Sequence, residues 1–283
     1  MKKIIVRILV LVAGFFIFLT GQTVGEHIII RREVKEFTSK GVLQEDISTD
    51  LIKYYKVSRE TYYPEEYVRD PFYQGNLNRP GAIGDIFVTQ TSPLALYPGV
   101  HQFVSFYFGG HAAYVDENNR LFETIGIPGA SEKFLDVLID GGENTHAMDN
   151  VRNYWLDPNH RDETDPGYRT YGNYYRKEWI GLRVKESTLE DNQAVVSNLR
   201  SLAEQKAQYN FLFVLNTKNR YYCTDLVTRS IEKINDSQGN QKYKFNKDGF
   251  AVTINDMILS KDTYIAYFVT TDRQNVKHVY YIG

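Results

Sequence analysis

The chain has a single cysteine among its 283 residues, which excludes an intramolecular disulfide. Its formal net charge of −2 leaves no surplus of basic residues, so the composition does not indicate nucleic acid as a partner. The sequence also lacks internal repeats and a phosphate-cradling glycine loop. With 42% hydrophobic and 24% charged residues, it has the composition of an ordinary globular protein that can bury a full core.

One long apolar segment is present, at the N-terminus. Lys2, Lys3 and Arg7 precede a run from 8 to 25 that carries no charged residue. Eighteen residues at a rise of 1.5 Å extend about 27 Å, close to the roughly 30 Å thickness of a bilayer core. The preceding positive charges predict a cytoplasmic N-terminus and an exported body at the cell membrane. We expect residues 1–25 to form a retained anchor, with a cleaved signal peptide and a secreted protein as the alternative.

The remainder divides into an extension and a domain. Residues 26–79 mix charged with scattered apolar residues and predict a spacer with an N-terminal extension, in which Thr49 to Lys56 has the spacing of a short helix. A cluster of asparagine, proline and glycine at 76–84 then interrupts the pattern. We expect the domain to occupy 80–283, with its first buried strand over Asp85 to Thr89.

His111 and Glu123 fall on a predicted β-hairpin. Val100 to Phe108 alternates as strands do, and the next stretch begins at His111 after two glycines, which allow close approach of other backbone or a ligand. A turn at 116–119 leads into a strand that contains Glu123, so the two side chains are expected to face each other within about a residue of register. A carboxylate there can orient an imidazole that acts as a base. Taken singly, each residue is more typical of an ordinary structural position on a strand.

Cys223 lies at the predicted start of a helix. Tyr221 and Tyr222 precede it, and the apolar residues between Thr224 and Ile234 follow helical spacing. Unpaired N–H groups and the positive end of the helix dipole favour a thiolate at this position, and the thiolate is the attacking form of cysteine. The alternative is a small buried hydrophobe, since free cysteine is among the most buried residue types.

The C-terminal half supplies further predicted elements. Trp179 to Val184 has the pattern of a strand, and Ser187 or Thr188 is expected to cap the helix that follows. Thr263 to Thr270 and Val276 to Ile282 alternate as strands and are expected to close the sheet.

Between these halves, Asp140 to Lys177 is long, polar and without a periodic pattern. A structureless stretch of this length within a domain is typical of a functional loop or a lid. Tyrosines between 154 and 175 offer contact area for a peptide or carbohydrate, or for plain packing. The acidic residues do not match the spacing of a calcium loop, so no metal site is predicted, and no cofactor either; they are Asp157, Asp162, Glu163 and Asp165.

In their order along the chain, these motifs resemble those of the NlpC-like cysteine hydrolases, in particular the circularly permuted, papain-like branch that includes the YiiX-like proteins. The resemblance covers 80–234 and rests on Gly84-Asp85-Ile86, Gly110-His111-Ala112, Glu123 on the following strand, and Tyr209-Asn210-Phe211 leading to the stretch from Tyr222 to Val227. Two departures are the long 140–177 segment and Thr224, where serine is common in the family.

The resemblance implies an α+β, papain-like fold with a central antiparallel sheet and a nucleophile at a helix N-terminus. It implies Cys223 as the nucleophile, His111 as its base and Glu123 as the residue that orients the base. It also implies that Tyr222 and Thr224 lie on the substrate or oxyanion side of the site.

Together these expectations describe an exported, membrane-anchored cysteine hydrolase that cleaves an amide bond, with a peptidoglycan peptide as the expected substrate. Two alternatives stay open. The first is hydrolysis or transfer of a lipid acyl group at the same site, which a narrow apolar pocket beside Cys223 would favour. The second is a non-catalytic wall-binding module that keeps the fold, which predicts that Cys223 is buried or that His111 does not reach it.

Overall fold

The protein is a mixed α+β structure built around a nine-stranded sheet, so the predicted α+β class is confirmed. The papain-like permuted arrangement remains a prediction. The computed structural model describes residues 2–59, 69–92, 99–124, 126, 137, 142, 145–151, 153–156, 177–213, 218–236, 238–245 and 251–283.

The strands predicted at 85–89 and 179–184 are present, and so is the helix predicted to begin after Thr188. The helices are α1 (Lys2–Ser39), α2 (Val100–Tyr107), α3 (Leu189–Glu204), α4 (Cys223–Ile231) and α5 (Ile254–Ile258). The strands are β1 (Gly41–Leu43), β2 (Ile52–Val57), β3 (Asp85–Thr89), β4 (His111–Val115), β5 (Leu121–Thr124), β6 (Ala147–Asn150), β7 (Glu178–Val184), β8 (Gln208–Tyr209), β9 (Arg220–Tyr221), β10 (Thr263–Thr271) and β11 (Lys277–Ile282).

The sheet has the strand order β1-β2-β11-β10-β7-β3-β4-β5-β6. Its neighbours are antiparallel except for β2 and β11, which run parallel, so the predicted antiparallel sheet is in fact mixed. The strands predicted at 263–270 and 276–282 are present as β10 and β11, but they lie inside the sheet and do not close it. The reason is that β1 and β2, from the N-terminal extension, pair outside β11.

Two local predictions were wrong. The segment expected to form a short helix at 49–56 contains strand β2, because its backbone pairs with β11 while Tyr54 and Val57 are buried. The segment 100–108, read as alternating, forms helix α2. Its aromatic residues Phe103, Phe106 and Tyr107 have the i, i+3, i+4 spacing of one helix face, which a short alternating pattern conceals.

Both faces of the sheet are covered. In β3, Ile86 and Val88 pack in the cluster that includes α3, α4 and α5, whereas Phe87 packs on the opposite face in a cluster with Trp155 and Trp179. Because side chains alternate along a strand, a strand buried on both faces has an apolar residue at nearly every position. This arrangement explains the continuous apolar character of β3 that predicted a buried strand.

Helix α1 is continuous, so the predicted boundary at residue 25 falls inside it. Most large apolar side chains from Ile4 to Ile29 are exposed, whereas Ile30 and Phe37 pack in the core. In the described part of the chain this is the one helix long and apolar enough to cross a membrane, a criterion that an N-terminal signal sequence also meets. The helix therefore joins an apolar, exposed half to a half that belongs to the domain.

A buried ion pair joins the central strands β3 and β7. Asp85 and Arg183 are register partners, and the Arg183 Nε donates to Asp85 Oδ1 at 2.7 Å. The Tyr267 hydroxyl donates to the other carboxylate oxygen at 3.0 Å, and both charged side chains are fully buried. Removing one member of such a pair leaves a buried charge without compensation.

We expect Asp85→Asn to lower the free energy of unfolding by about 3–5 kcal/mol, because the Arg183 charge stays buried without its carboxylate. Glu36→Gln is the matched control, since it removes the exposed partner of Lys40 and should cost less than about 1 kcal/mol. Denaturant unfolding of the detergent-solubilised full chain, followed by the emission of the buried Trp155 and Trp179, measures both values. Equal losses in the two variants would contradict the importance of this pair.

Candidate active site

Cys223 is the first residue of α4, as the sequence predicts, and Tyr222 is the N-cap. The N–H groups of the first helical turn have no carbonyl partner within the helix, so they point toward the start of α4 as hydrogen-bond donors. The Cys223 Sγ atom lies 4.0 Å from the Gly110 carbonyl oxygen, and the residue is 8% exposed. The thiol is therefore at a position that favours an anion but is largely enclosed.

His111 is the first residue of β4, the strand against which α4 packs. The Cys223 side chain is close enough to its imidazole to raise the pKa of the ring. The backbone before it is crowded: a Cβ atom on Gly110 would lie 1.9 Å from the Thr91 carbonyl oxygen. Gly110 therefore allows a close approach, as predicted, and what approaches it is the backbone of the segment that follows β3.

Glu123 meets His111 across the hairpin. The pairs Tyr114 with Phe122 and Val115 with Leu121 set the register, which places Glu123 opposite residue 113, on the diagonal from His111. The His111 Nε2 atom lies 2.7 Å from Glu123 Oε2, and both side chains are buried. The predicted carboxylate–imidazole contact is therefore present, one diagonal step from direct opposition.

Two further side chains hold Glu123, and sequence reasoning missed both. The Tyr154 hydroxyl donates to Glu123 Oε2, and the Asn150 side chain donates to Oε1 at 3.1 Å. Both residues come from the segment 140–177, whose apparent lack of pattern hid strand β6 and the buried residues 154–156. The available signal was Tyr154-Trp155-Leu156, three consecutive large apolar residues inside a polar stretch.

The electrostatics favour an imidazolium–carboxylate pair. Burial lowers the pKa of His111, but its hydrogen bonds with Cys223 and Glu123 and the charges of those two groups raise it by more, to about 9. Burial raises the pKa of Glu123, but the hydrogen bonds from His111, Tyr154 and Asn150 lower it by more, below its ordinary value. At neutral pH the ring is therefore a protonated donor held by an ionised carboxylate.

Aromatic residues form the walls of the site. The Trp155 ring is stacked on His111, with centroids 6.2 Å apart and an interplanar angle of 9°. On the side of the thiol, burial and the charges of Cys223 and Tyr222 raise the pKa of Tyr209 well above its ordinary value. The Phe213 ring lies 5.5 Å from that of Tyr222. A group bound beside Cys223 would meet a largely apolar surface.

Tyr222 and Thr224, predicted on the substrate or oxyanion side, flank Cys223 and direct their hydroxyls at one residue. Val252 N donates to the Tyr222 hydroxyl at 2.7 Å, and the Thr224 hydroxyl donates to Val252 O at 2.6 Å. These bonds attach the start of α4 to the segment before α5. The donors that α4 can offer an oxyanion are accordingly its first-turn N–H groups.

The remaining predictions concern the 140–177 segment. Much of it, including the four acidic residues at 157, 162, 163 and 165 and the tyrosines beyond 156, lies outside the described residues. Where the structure describes the chain, no group of three or more His, Cys, Asp and Glu side chains is arranged to hold a metal ion. The described parts of the segment support Glu123 and the core.

We expect the His111 ring to titrate near pH 9, protonated below this value and neutral above it. Glu123→Gln and Cys223→Ala should each move the midpoint to lower pH, because each removes a contact that raises the pKa. Nitrogen NMR of the imidazole rings in the detergent-solubilised chain gives the midpoint.

The control for this titration is Asp272→Asn, which removes the carboxylate 3.2 Å from His278, a histidine–carboxylate pair outside the site. It should leave the His111 midpoint unchanged. A His111 ring that titrates at its ordinary pH in the wild type, or that ignores both site substitutions, would show that the three side chains are not coupled.

No protein-family model, curated protein or solved structure matches this chain. The resemblance to the NlpC-like hydrolases therefore remains a prediction from the order of the motifs. The site itself consists of a thiol at a helix N-terminus, an imidazole whose pKa that thiol raises, and a buried carboxylate that holds the ring.

Proposed function

We propose that the chain is an exported, membrane-anchored cysteine hydrolase in which Cys223 attacks the carbonyl carbon of an amide bond. The observation that carries this proposal is the position of His111 between Glu123 and the thiol at the start of α4. A nucleophile, a base within hydrogen-bond reach and a third group that orients the base are the parts that covalent catalysis needs.

The first half of the reaction forms an acyl-enzyme. In the resting pair His111 already holds the proton that the Cys223 thiol gives up, and the thiolate sulfur bonds to the substrate carbonyl carbon. The carbonyl oxygen becomes an oxyanion, which the first-turn N–H groups of α4 stabilise. When the carbon–nitrogen bond breaks, His111 gives its proton to the leaving amine, and a thioester remains on Cys223.

The second half releases the acyl group. His111 removes a proton from a water molecule, and the resulting hydroxide attacks the thioester carbon. The carbon–sulfur bond breaks, the carboxylic acid leaves, and the proton stays on His111, which restores the thiolate–imidazolium pair. In both halves Glu123 stabilises the imidazolium and fixes which ring nitrogen faces the thiol.

Export supports a peptide of the cell wall as the substrate, and a peptidoglycan peptide remains our first candidate. A second candidate is a lipid acyl group, hydrolysed or transferred at the same site, and the aromatic surface beside Cys223 favours it. The non-catalytic wall-binding alternative predicted a buried Cys223, which is observed, or a His111 out of reach, whereas Cys223 is close enough to raise the pKa of His111. Reactivity of the thiol separates catalysis from binding.

We expect Cys223 to react with iodoacetamide well below the ordinary thiol pKa of about 8.5, and His111→Ala to abolish that low-pH reactivity. The expectation follows because the imidazolium stabilises the thiolate that iodoacetamide attacks. Mass spectrometry of the full chain in detergent, sampled over time between about pH 4 and 9, measures the rate.

The matched control for this reaction is His278→Ala, which removes a histidine from a carboxylate pair away from the site and should leave the alkylation rate unchanged. A thiol that stays inert at every pH, or that reacts as an ordinary cysteine whether or not His111 is present, would overturn the hydrolase proposal and favour a binding module.

A further inference from the structure

A stretch of thirty residues, 86–115, contains no Asp, Glu, Lys or Arg. At its two ends, the lack of charged residues is explained by strands β3 and β4, whose side chains are buried. Burial does not account for α2, whose described side chains are half-buried or exposed, with Phe103 47% exposed. The exposed side of α2 is therefore uncharged, and Phe103 offers an apolar side chain there that another apolar surface can cover.

Helix α2 is fixed directly against the apolar half of α1. The Tyr107 hydroxyl forms a 2.7 Å hydrogen bond with the Thr20 hydroxyl. The Phe106 ring is stacked on His27 with centroids 5.5 Å apart, and a His27 ring nitrogen lies 3.2 Å from the Phe106 carbonyl oxygen. These contacts set the height of α2 along α1.

The end of the apolar run is also held by the domain. The Asn255 side chain donates to Glu26 at 3.1 Å and accepts from Gln90 at 2.8 Å, while Gln90 also contacts His27 at 3.2 Å. Because Glu26 and His27 are the first two residues beyond the charge-free run, the point where α1 would leave a bilayer is attached to α5 and to the end of β3. The orientation of the domain relative to α1 is thereby defined.

The contact with α2 lies at the depth of a membrane interface. Thr20 precedes Gly25, the last residue of the apolar run, by five residues, or about 8 Å of helix. Interfacial helices bury their apolar face about 5–10 Å into the boundary between headgroups and acyl chains. Phenylalanine and tyrosine on an uncharged helix suit that zone, where tyrosine is enriched because one end of its ring is apolar and the other polar.

The level above α2 carries charges of both signs, basic residues among them. A cavity of about 720 Å³ lies between parts of α1 and α2, and Arg31, Lys35 and Glu178 are among its lining residues. Arg31 lies six residues, or about 9 Å, beyond the apolar run, at the height of the lipid headgroups. Basic side chains at this height attract anionic headgroups.

We infer that α2 is a second membrane contact of this protein: its outer face, with Phe103 at the centre, lies in the bilayer interface beside α1. An aromatic row connects this face to the thiol. Phe103 and Phe108 have ring centroids 6.2 Å apart, Phe108 and Phe213 5.5 Å, and Phe213 and Tyr222 5.5 Å. His111 follows Tyr107 by four residues, at most about 14 Å of chain, so the candidate site lies close to the membrane surface.

This inference rests on the membrane anchor of the proposed function but not on its chemistry, and fluorescence quenching tests the two separately. The full chain is reconstituted in vesicles of phosphatidylcholine with phosphatidylglycerol, in which some acyl chains are brominated either near the headgroup or near the chain end. Single substitutions add a tryptophan to the two native ones, both of which are buried: Phe103→Trp tests α2, and Phe16→Trp tests α1. Leu189→Trp, 43% exposed at the start of α3, is the control matched in exposure to Phe103.

We expect the added emission of Phe103→Trp to be quenched several-fold more by bromine near the headgroup than by bromine near the chain end. Phe16→Trp should be quenched by bromine within the bilayer, and Leu189→Trp by neither lipid. If Phe16→Trp is quenched while Phe103→Trp is not, the inference about α2 is overturned and the anchor stands. If Phe16→Trp is not quenched, the anchor fails and the inference falls with it.

The alternative is that α2 packs against a second copy of the chain instead of the bilayer. The same tryptophan variants distinguish these two cases. A Phe103→Trp side chain that is protected from both brominated lipids and from aqueous acrylamide lies under protein, which overturns the inference. A side chain that acrylamide reaches as readily as it reaches Leu189→Trp lies in water, which overturns it as well. Alkylation of Cys223 in the same vesicles reports independently on the proposed chemistry.

Discussion

The bond between His111 and Glu123 is the contact on which the candidate site depends. A carboxylate and an imidazolium buried in an apolar interior are each costly, and they are tolerated together because each neutralises the other and their remaining hydrogen-bonding positions are filled. Tyr154 and Asn150 donate hydrogen bonds to the carboxylate, and the Cys223 side chain lies close enough to the ring to raise its pKa. Removing any of these partners leaves another buried polar or charged group without compensation, which is energetically unfavourable. The side chains of the site therefore depend on one another.

The sheet supplies the rigidity that this unit needs. Strands β4 and β5 carry the histidine and the carboxylate, while α4 brings the thiol to them by packing on the same strands. The hydrogen bonds from Tyr222 and Thr224 to Val252 attach the start of α4 to the chain before α5. Thiol, imidazole and carboxylate therefore come from separate elements, and main-chain pairing and buried contacts set their relative positions.

Sequence reasoning recovered the parts of this structure that local pattern determines. The helix that begins at Cys223, the hairpin that carries His111 and Glu123, and the capping of α3 by Thr188 all leave signals within about ten residues. It did not recover β2, because strand β11, more than two hundred residues away, decides the conformation of that segment. It also missed Tyr154 and Asn150, since no local pattern tells which polar residue will reach a carboxylate on another strand. The fold class was thus readable, whereas pairing order and supporting contacts depended on tertiary structure.

The continuity of α1 has a mechanical consequence. A single helix runs from the apolar N-terminal segment into the core, where Ile30 and Phe37 are packed. Within the described chain, no flexible linker therefore separates the apolar segment from the domain. A domain on a flexible linker would sample a wide range of distances from the membrane, whereas a domain on a continuous helix would sample a narrow one. In the proposed membrane-anchored hydrolase, this rigid connection would keep Cys223 at a fixed distance from the bilayer, and the enzyme would select among identical bonds by their distance from the membrane.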